Sequence, residues 1–179
     1  YEYAKILSDN GTKVVDMAFG GGLAREDHIF KALSLGAPFV KLVCMGRGMM
    51  IPGFLGSNIE GALHPERRSK VSGNWEKLPS SVHEHGKIAS EIFAGYYDVQ
   101  KKVGKAEMKN IPYGAIAMWT CTDKLQAGLQ QFMAGARKFS ISAIARNDIA
   151  SVNRETERET NIPFISDAQN ERAYAILKS

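Results

Sequence analysis

Residues 13–45 read KVVDMAFGGGLAREDHIFKALSLGAPFVKLVCM, and this stretch decides the fold class. Its first segment, Lys13 to Phe19, is short and mostly apolar, as in a strand buried on both sides of a parallel sheet. Three glycines break the chain next, and Glu26 to Leu35 then places apolar residues at helical spacing up to Gly36. A second apolar segment, Phe39 to Met45, follows. The stretch therefore predicts a βαβ unit, whose two strands must be parallel.

Length and composition limit the architecture. The chain has 179 residues, of which 44% are hydrophobic and 23% charged, which is typical of a globular domain. A complete eight-stranded (β/α)8 barrel needs about 250 residues, so we expect either a smaller fold or a fragment of a barrel. The longest mainly apolar stretch, Ala37 to Leu55, is interrupted by Lys41, Arg47 and Pro52. We therefore expect no membrane-spanning helix.

The charge pattern predicts a solvated protein surface, and the cysteine content predicts a reducing compartment. The formal net charge is +4, but the basic residues are scattered among nearly as many acids, and their only doublets are Arg67-Arg68 and Lys101-Lys102. This pattern favours a solvated surface over a nucleic-acid interface. Cys44 and Cys121 are too few for a disulfide framework and suit a reducing compartment, so we expect a cytoplasmic protein.

The rest of the chain is predicted to be mainly helical, with one long loop. Residues Ile51 to Leu78 are rich in Gly, Ser, Asn and Pro, which predicts a surface excursion. The sequence Ser81 to Glu84 has the S-x-x-E form of a capping box, and the helix that it opens is expected to run to Lys102. We accordingly divide the chain into residues 1–78 and a mainly helical region, residues 79–179.

Three further helices are expected towards the carboxyl end. Thr122 is a candidate N-cap for a helix over Asp123 to Lys138. Asn147 to Glu159 predicts a charged, exposed helix, and Ser166 to Gln169 repeats the capping-box form before a last helix that ends at Leu177.

The glycine cluster Gly20-Gly21-Gly22 is the candidate functional motif. Glycines between a strand and a helix expose backbone N–H groups beside the positive end of the helix dipole, where an anion fits. The spacing differs from the G-x-G-x-x-G motif of dinucleotide folds. Taken alone, the cluster is equally well explained as a tight turn.

The residues around the cluster resemble a known family. Gly21-Gly22-Leu23, followed by Ile29 to Ala37 (IFKALSLGA), resembles the turn and helix that precede the eighth strand in FMN-binding TIM barrels. Glutamate synthase, 2-hydroxy acid oxidases and type 2 isopentenyl diphosphate isomerase share this pattern, as does IMP dehydrogenase with a nucleotide ligand. The resemblance implies an α/β fold made of the last two strand-helix units of a (β/α)8 TIM barrel, followed by a mainly helical extension.

The same resemblance implies which residues bind the cofactor. In this family the loops after strands seven and eight hold the FMN phosphate through backbone N–H groups, with a basic side chain in some members. Gly20, Gly21, Gly22 and Leu23 would form the first half of this cradle. Gly46 and Arg47 would form the second half, although Gly46 lies about three residues later than the family's usual spacing.

The glutamate synthase branch fits best, because Leu125 to Phe139 resembles a helix that follows its barrel. This branch implies an oxidoreductase that transfers an amino group reductively to 2-oxoglutarate, with glutamine or ammonia as its source. The other six barrel strands and the catalytic residues are expected outside this chain. The helices after residue 105 would pack on the barrel or mediate homo-oligomerisation. Neither nucleic acid nor membrane is an expected partner.

No iron-sulfur cluster is expected in this chain. Glutamate synthase proper holds an iron-sulfur cluster after its last strand, whereas only Cys44 stands there and is expected to be a buried strand residue. Two alternatives remain open. The turn could hold another phosphate in a non-redox barrel of the isomerase or IMP dehydrogenase kind, or the chain could be a helical interaction protein with an incidental βαβ start.

Overall fold

The protein is mixed α/β and mainly helical in a computed structural model that describes residues 1–67, 80, 84 and 88–179. Its strands are β1 (Met17–Gly20) and β2 (Val40–Cys44). Its helices are α1 (Glu2–Asp9), α2 (Glu26–Gly36), α3 (Arg47–Leu63), α4 (Ala89–Ile92), α5 (Tyr96–Val103), α6 (Tyr113–Gly135), α7 (Arg154–Thr160) and α8 (Ile165–Leu177). Short 3₁₀ turns occupy Pro65–Arg67, Glu107–Asn110, Ile141–Ala143 and Arg146–Asp148.

The chain forms two compact units. The first contains Tyr1–Gly21, Glu26–Cys44 and Leu129–Ser179, and the second contains Gly22–Arg25 and Met45–Gly128. The boundary predicted between residues 78 and 79 lies outside the described residues and stays a prediction.

The predicted βαβ unit is confirmed in the first unit. β1 and β2 pair in parallel, with Met17 opposite Val40 and Gly20 opposite Cys44, and α2 connects them. The prediction that the first strand is buried on both sides is wrong. β1 is also shorter than predicted, and the apolar side chains of Phe19 and Leu42 are 39% and 64% exposed. The sheet therefore leaves apolar surface uncovered.

The core of the first unit lies between α2 and the last turns of α6. Phe30 and Leu33 of α2 are buried against Met133 and Ile144. The ring of Phe30 also stacks on that of Phe132, with 5.7 Å between centroids. The apolar residues that recur at helical spacing in the sequence of α2 are thus the ones that face this core.

Arg146 joins three parts of the first unit. Its guanidinium donates hydrogen bonds to the carbonyl oxygens of Leu35, in the last turn of α2, and of Thr160, at the end of α7. It also lies over the ring of Tyr1, 3.8 Å from the centroid. Helix carboxyl ends carry partial negative charge and unpaired carbonyls, so one cation here stabilises two helix ends.

The core of the second unit is built where α3 meets α6. Ile116 is 1% exposed and belongs to an apolar cluster with Ile59 and Phe93. A Cβ on Gly56 would lie 2.6 Å from the carbonyl oxygen of Tyr113, so only glycine permits this close helix approach.

A buried carboxylate organises the start of α6. Glu60, which is 8% exposed, accepts a hydrogen bond from the backbone N–H of Tyr113 at 3.1 Å and pairs with Arg67 at 3.2 Å. The carboxylate thus satisfies an otherwise unpaired amide at a helix amino end. Burial, together with the charge of Glu60, raises the pKa of the Tyr113 hydroxyl. The phenol therefore stays neutral at physiological pH.

The predicted surface loop from Ile51 to Leu78 is wrong over its first half. α3 continues through this region to Leu63, with Pro52 inside it, and a 3₁₀ turn covers Pro65–Arg67. Residues 68–78 lie outside the described part of the chain. Gly56, one of the glycines that suggested a loop, is instead required by close packing.

The predicted helix from Ser81 to Lys102 is also not continuous. Residues 81–83 of its capping box lie outside the described residues, and the described part is broken at Phe93, whose backbone is extended with φ −110° and ψ 111°. Thr122 is not an N-cap either. It lies inside α6, where its hydroxyl donates to the carbonyl oxygen of Met118 at 2.8 Å.

The two carboxyl-terminal helices are shifted from their predicted starts. The helix predicted from Asn147 begins only at Arg154, where the side chain of Asn153 accepts a hydrogen bond from the N–H of Thr156 at 2.7 Å. α8 begins at Ile165 without a side-chain cap, so the second predicted capping box is wrong. No helix among the described residues has the length and apolar character needed to cross a membrane.

An ionic cluster links α7 to α8. The guanidinium of Arg154 contacts Glu157 at 2.8 Å and Asp167 at 2.6 Å. Glu157 also accepts a hydrogen bond from the N–H of Phe164 at 3.0 Å. The hydrogen bond from Arg154, followed by that from Phe164, lowers the pKa of Glu157 below its ordinary value of 4.5.

The first prediction compares a buried with an exposed apolar residue. Ile116→Ala should lower the free energy of unfolding by about 2–5 kcal/mol, because it leaves a cavity in the core. Leu42→Ala should cost less than about 1 kcal/mol, because the Leu42 side chain is 64% exposed. Urea denaturation followed by circular dichroism measures both. Equal losses for the two variants would contradict the placement of these residues.

The second prediction concerns acid stability. A carboxylate whose pKa is lowered by folding stabilises the protein above its unfolded pKa, and this contribution is lost as the pH falls through the folded pKa. The melting temperature of Glu157→Gln should therefore fall less than that of the wild type between about pH 6 and about pH 3. Glu155→Gln removes a carboxylate from the same helix outside this cluster and is the control. Identical pH profiles for the wild type and Glu157→Gln would refute the assignment.

Candidate anion-binding site

The first glycine turn directly follows β1. Gly20 ends the strand opposite Cys44, and a Cβ at Gly20 would make an ordinary contact with the Cβ of Cys44 at 3.6 Å. Gly21 and Gly22 have φ values of 105° and 69°. Residues with side chains rarely adopt such angles, so the turn in this form requires glycine at both positions.

The space beside this turn is open. No atom lies within 4 Å of the position that a Cβ would take on Gly21 or on Gly22. Backbone conformation, rather than close packing against protein, therefore explains both glycines. Both glycines are also exposed, so the turn itself is accessible from solvent.

The backbone amides of the turn are available as donors. Among the hydrogen bonds of the described residues, none is donated by the N–H of Gly21, Gly22 or Leu23, whereas Ala24 and Arg25 have interactions of their own. Consecutive amides at a turn form a concave site that favours an anion. The first half of the predicted cradle thus has the donors that a phosphate needs.

The second glycine turn begins α3. Gly46 is its N-cap and provides no side-chain cap, and the N–H groups of Met49 and Met50 donate to the Gly46 carbonyl at 3.0 and 3.2 Å. The amides of Arg47 and Gly48 precede these donors, in the turn where a helix offers no internal acceptor. Arg47 itself is exposed. This amino end combines two amides, a helix dipole and a cation.

Within the second unit, the two turns are in contact. A Cβ on Gly48 would lie 2.8 Å from the carbonyl oxygen of Leu23 and 3.2 Å from the Cα of Ala24. The backbone at the start of α3 therefore packs directly on the segment that follows Gly22. Sequence analysis had no direct signal for this contact and did not single out Gly48.

The structure thus brings some of the predicted site residues together. Gly22, Leu23, Gly46 and Arg47 belong to the second unit, where Gly48 joins their two segments. Gly20 and Gly21 belong to the first unit and connect to Gly22 through the chain. The assignment of all six as FMN phosphate ligands stays a prediction.

Cys44 differs from its expected environment. The prediction that Cys44 is buried in the strand is wrong. Cys44 is exposed at the end of β2, a strand in which no residue is fully buried. Within residues 1–67, 80, 84 and 88–179, no group of three or more His, Cys, Asp or Glu side chains is arranged to hold a metal ion.

Comparison with known proteins adds no family. No protein-family model, curated protein or solved structure matches the chain.

Proposed function

We propose that this chain is the carboxyl-terminal part of an FMN-dependent oxidoreductase resembling glutamate synthase, and that its two glycine turns bind the FMN phosphate. In this proposal β1 and β2 are the last two strands of a (β/α)8 TIM barrel. The observation that carries the proposal is the open corner at Gly21 and Gly22, where backbone amides lack protein acceptors.

The geometry of both turns supports a phosphate. A phosphate group offers several oxygen acceptors, and the turns offer the amides of Gly21, Gly22, Leu23, Arg47 and Gly48 as donors. The exposed guanidinium of Arg47 would add a charge-assisted hydrogen bond. The amides of Arg47 and Gly48 stand at the start of a helix, where the helix dipole favours an anion.

The exposed sheet supports the barrel assignment. Parallel strands are normally covered on both faces, whereas Phe19 and Leu42 remain 39% and 64% exposed. Neighbouring strands and a barrel interior would cover these side chains. When bound, FMN would supply the redox chemistry for amino transfer to 2-oxoglutarate, and this chain would hold and orient it.

Two other functions are favoured by particular observations. Backbone amides do not distinguish FMN from another phosphate, which favours a non-redox phosphate- or nucleotide-binding barrel. The described residues contain two short strands against many helices, which favours a helical interaction protein. Ligand titration separates the three functions.

The third prediction is that the chain binds FMN through its phosphate. In ¹⁵N-labelled full chain, FMN should shift the amide NMR signals of both turns, namely those of Gly21, Gly22, Leu23, Arg47 and Gly48. Riboflavin, which lacks the phosphate, should leave these signals unchanged at the same concentration. NMR detects millimolar binding, so the test does not require the affinity of a complete barrel.

The outcomes of this titration are distinct. Equal shifts with riboflavin would contradict a phosphate site. Shifts with inosine monophosphate but not with FMN would favour the non-redox barrel. An absence of shifts with every phosphate ligand would reject both barrel functions and favour the interaction protein.

The fourth prediction uses two glycines with positive φ. Gly22→Ala should weaken FMN binding by about tenfold or more, because the Cβ enters the open corner and the strained turn moves its amides. Gly104 is the control, since it also has a positive φ, 91°, with no atom within 4 Å of a Cβ. Each variant should be destabilised by about 1–3 kcal/mol. Equal FMN affinities in the two variants would be evidence against the turn as the site.

A further inference from the structure

We propose that Gly48 is a positioning residue that sets the distance between the two halves of the phosphate site. The inference rests on the proposed function and adds a residue that the sequence pattern did not assign. Gly48 would act through its neighbours, by letting the backbone of α3 approach the segment after Gly22.

The contact at Gly48 is made with backbone. A Cβ added there would lie 2.8 Å from the Leu23 carbonyl oxygen and 3.2 Å from the Ala24 Cα, while the flexible Met45 side chain is farther away at 3.5 Å. A side chain can rotate away from an added methyl group, but a carbonyl oxygen and a Cα move only if their whole segment moves. Any residue larger than glycine would therefore separate the two turns.

Helix propensity does not explain this glycine. Gly48 lies in the first turn of α3, where alanine is the better helix former by about 1 kcal/mol. Among the described residues, the glycines with positive φ are Gly11, Gly21, Gly22 and Gly104, so Gly48 is not required by an unusual backbone angle. The remaining physical reason for a glycine at position 48 is the close approach of the segment that contains Leu23.

A phosphate held by both turns is sensitive to this approach. N–H···O hydrogen bonds in proteins have donor–acceptor distances of about 2.7–3.2 Å. A ligand bridging the Leu23 amide and the first amides of α3 would lose one set of donors if the segments moved apart.

The experiment compares Gly48→Ala with the wild-type full chain. FMN affinity, measured from the NMR shifts, should fall about tenfold or more, as expected when a hydrogen bond to a charged group is broken. The melting temperature of each variant separates this loss of FMN affinity from a loss of general stability.

Gly53→Ala is the matched control. Gly53 lies in the same helix, and its added Cβ would be similarly crowded, at 3.1 and 3.2 Å, but by the Met118 side chain. This variant should keep the FMN affinity of the wild type. If Gly48→Ala kept that affinity too, while wild-type FMN shifts were present, the Gly48 inference would be wrong and the proposed function would stand.

A wild-type measurement covers the case in which Gly48→Ala does not fold. The amides of Leu23 and Gly48 should shift with one common FMN dissociation constant, because one phosphate bridges them. Different constants, or a shift in only one of the two, would overturn the inference. No FMN shift at any site amide would instead reject the proposed function.

Discussion

The parallel pairing of β1 with β2 is the constraint on which the candidate site depends. A parallel pair requires a crossover, here made by α2, and the crossover returns the chain so that it leaves both strands at the same edge of the sheet. The pairing therefore places Gly20, which ends β1, beside Cys44, which ends β2. The chain leaves each strand towards a glycine turn that we propose as part of the phosphate site.

Within each unit, a charged side chain stabilises helix ends. In the first unit, Arg146 joins the ends of α2 and α7 by donating to Leu35 and Thr160. In the second unit, the buried carboxylate of Glu60 accepts a hydrogen bond from the N–H of Tyr113 at the start of α6. Both interactions solve the same problem, because helix ends leave backbone groups that need a partner. Gly56 meets a steric need, since its missing side chain lets α3 approach α6 closely.

The sequence allowed the βαβ unit to be predicted because its signals are local. The apolar spacing in α2 and the apolar composition of β2 each reflect the environment of consecutive residues. α3 was missed because its glycines and Pro52 are usual in loops, and their reason lies in a partner helix far along the chain. Thr122 shows the same limit, since a cap and a hydroxyl bonded to Met118 inside a helix have the same local sequence.

The candidate site also contains residues with a local sequence signal and residues without one. Gly21 and Gly22 were predictable, since consecutive glycines between a strand and a helix suggest unusual backbone angles, and both have positive φ. Gly48 was not, because its reason is contact with Leu23, 25 positions earlier. The exposed apolar residues of β1 and β2 have a different meaning in each proposed function. In a helical interaction protein, exposed Leu42 is one of several exposed apolar residues, such as Phe139 and Ile176, and needs no partner. In a barrel, that same surface is where the missing strands and interior would pack.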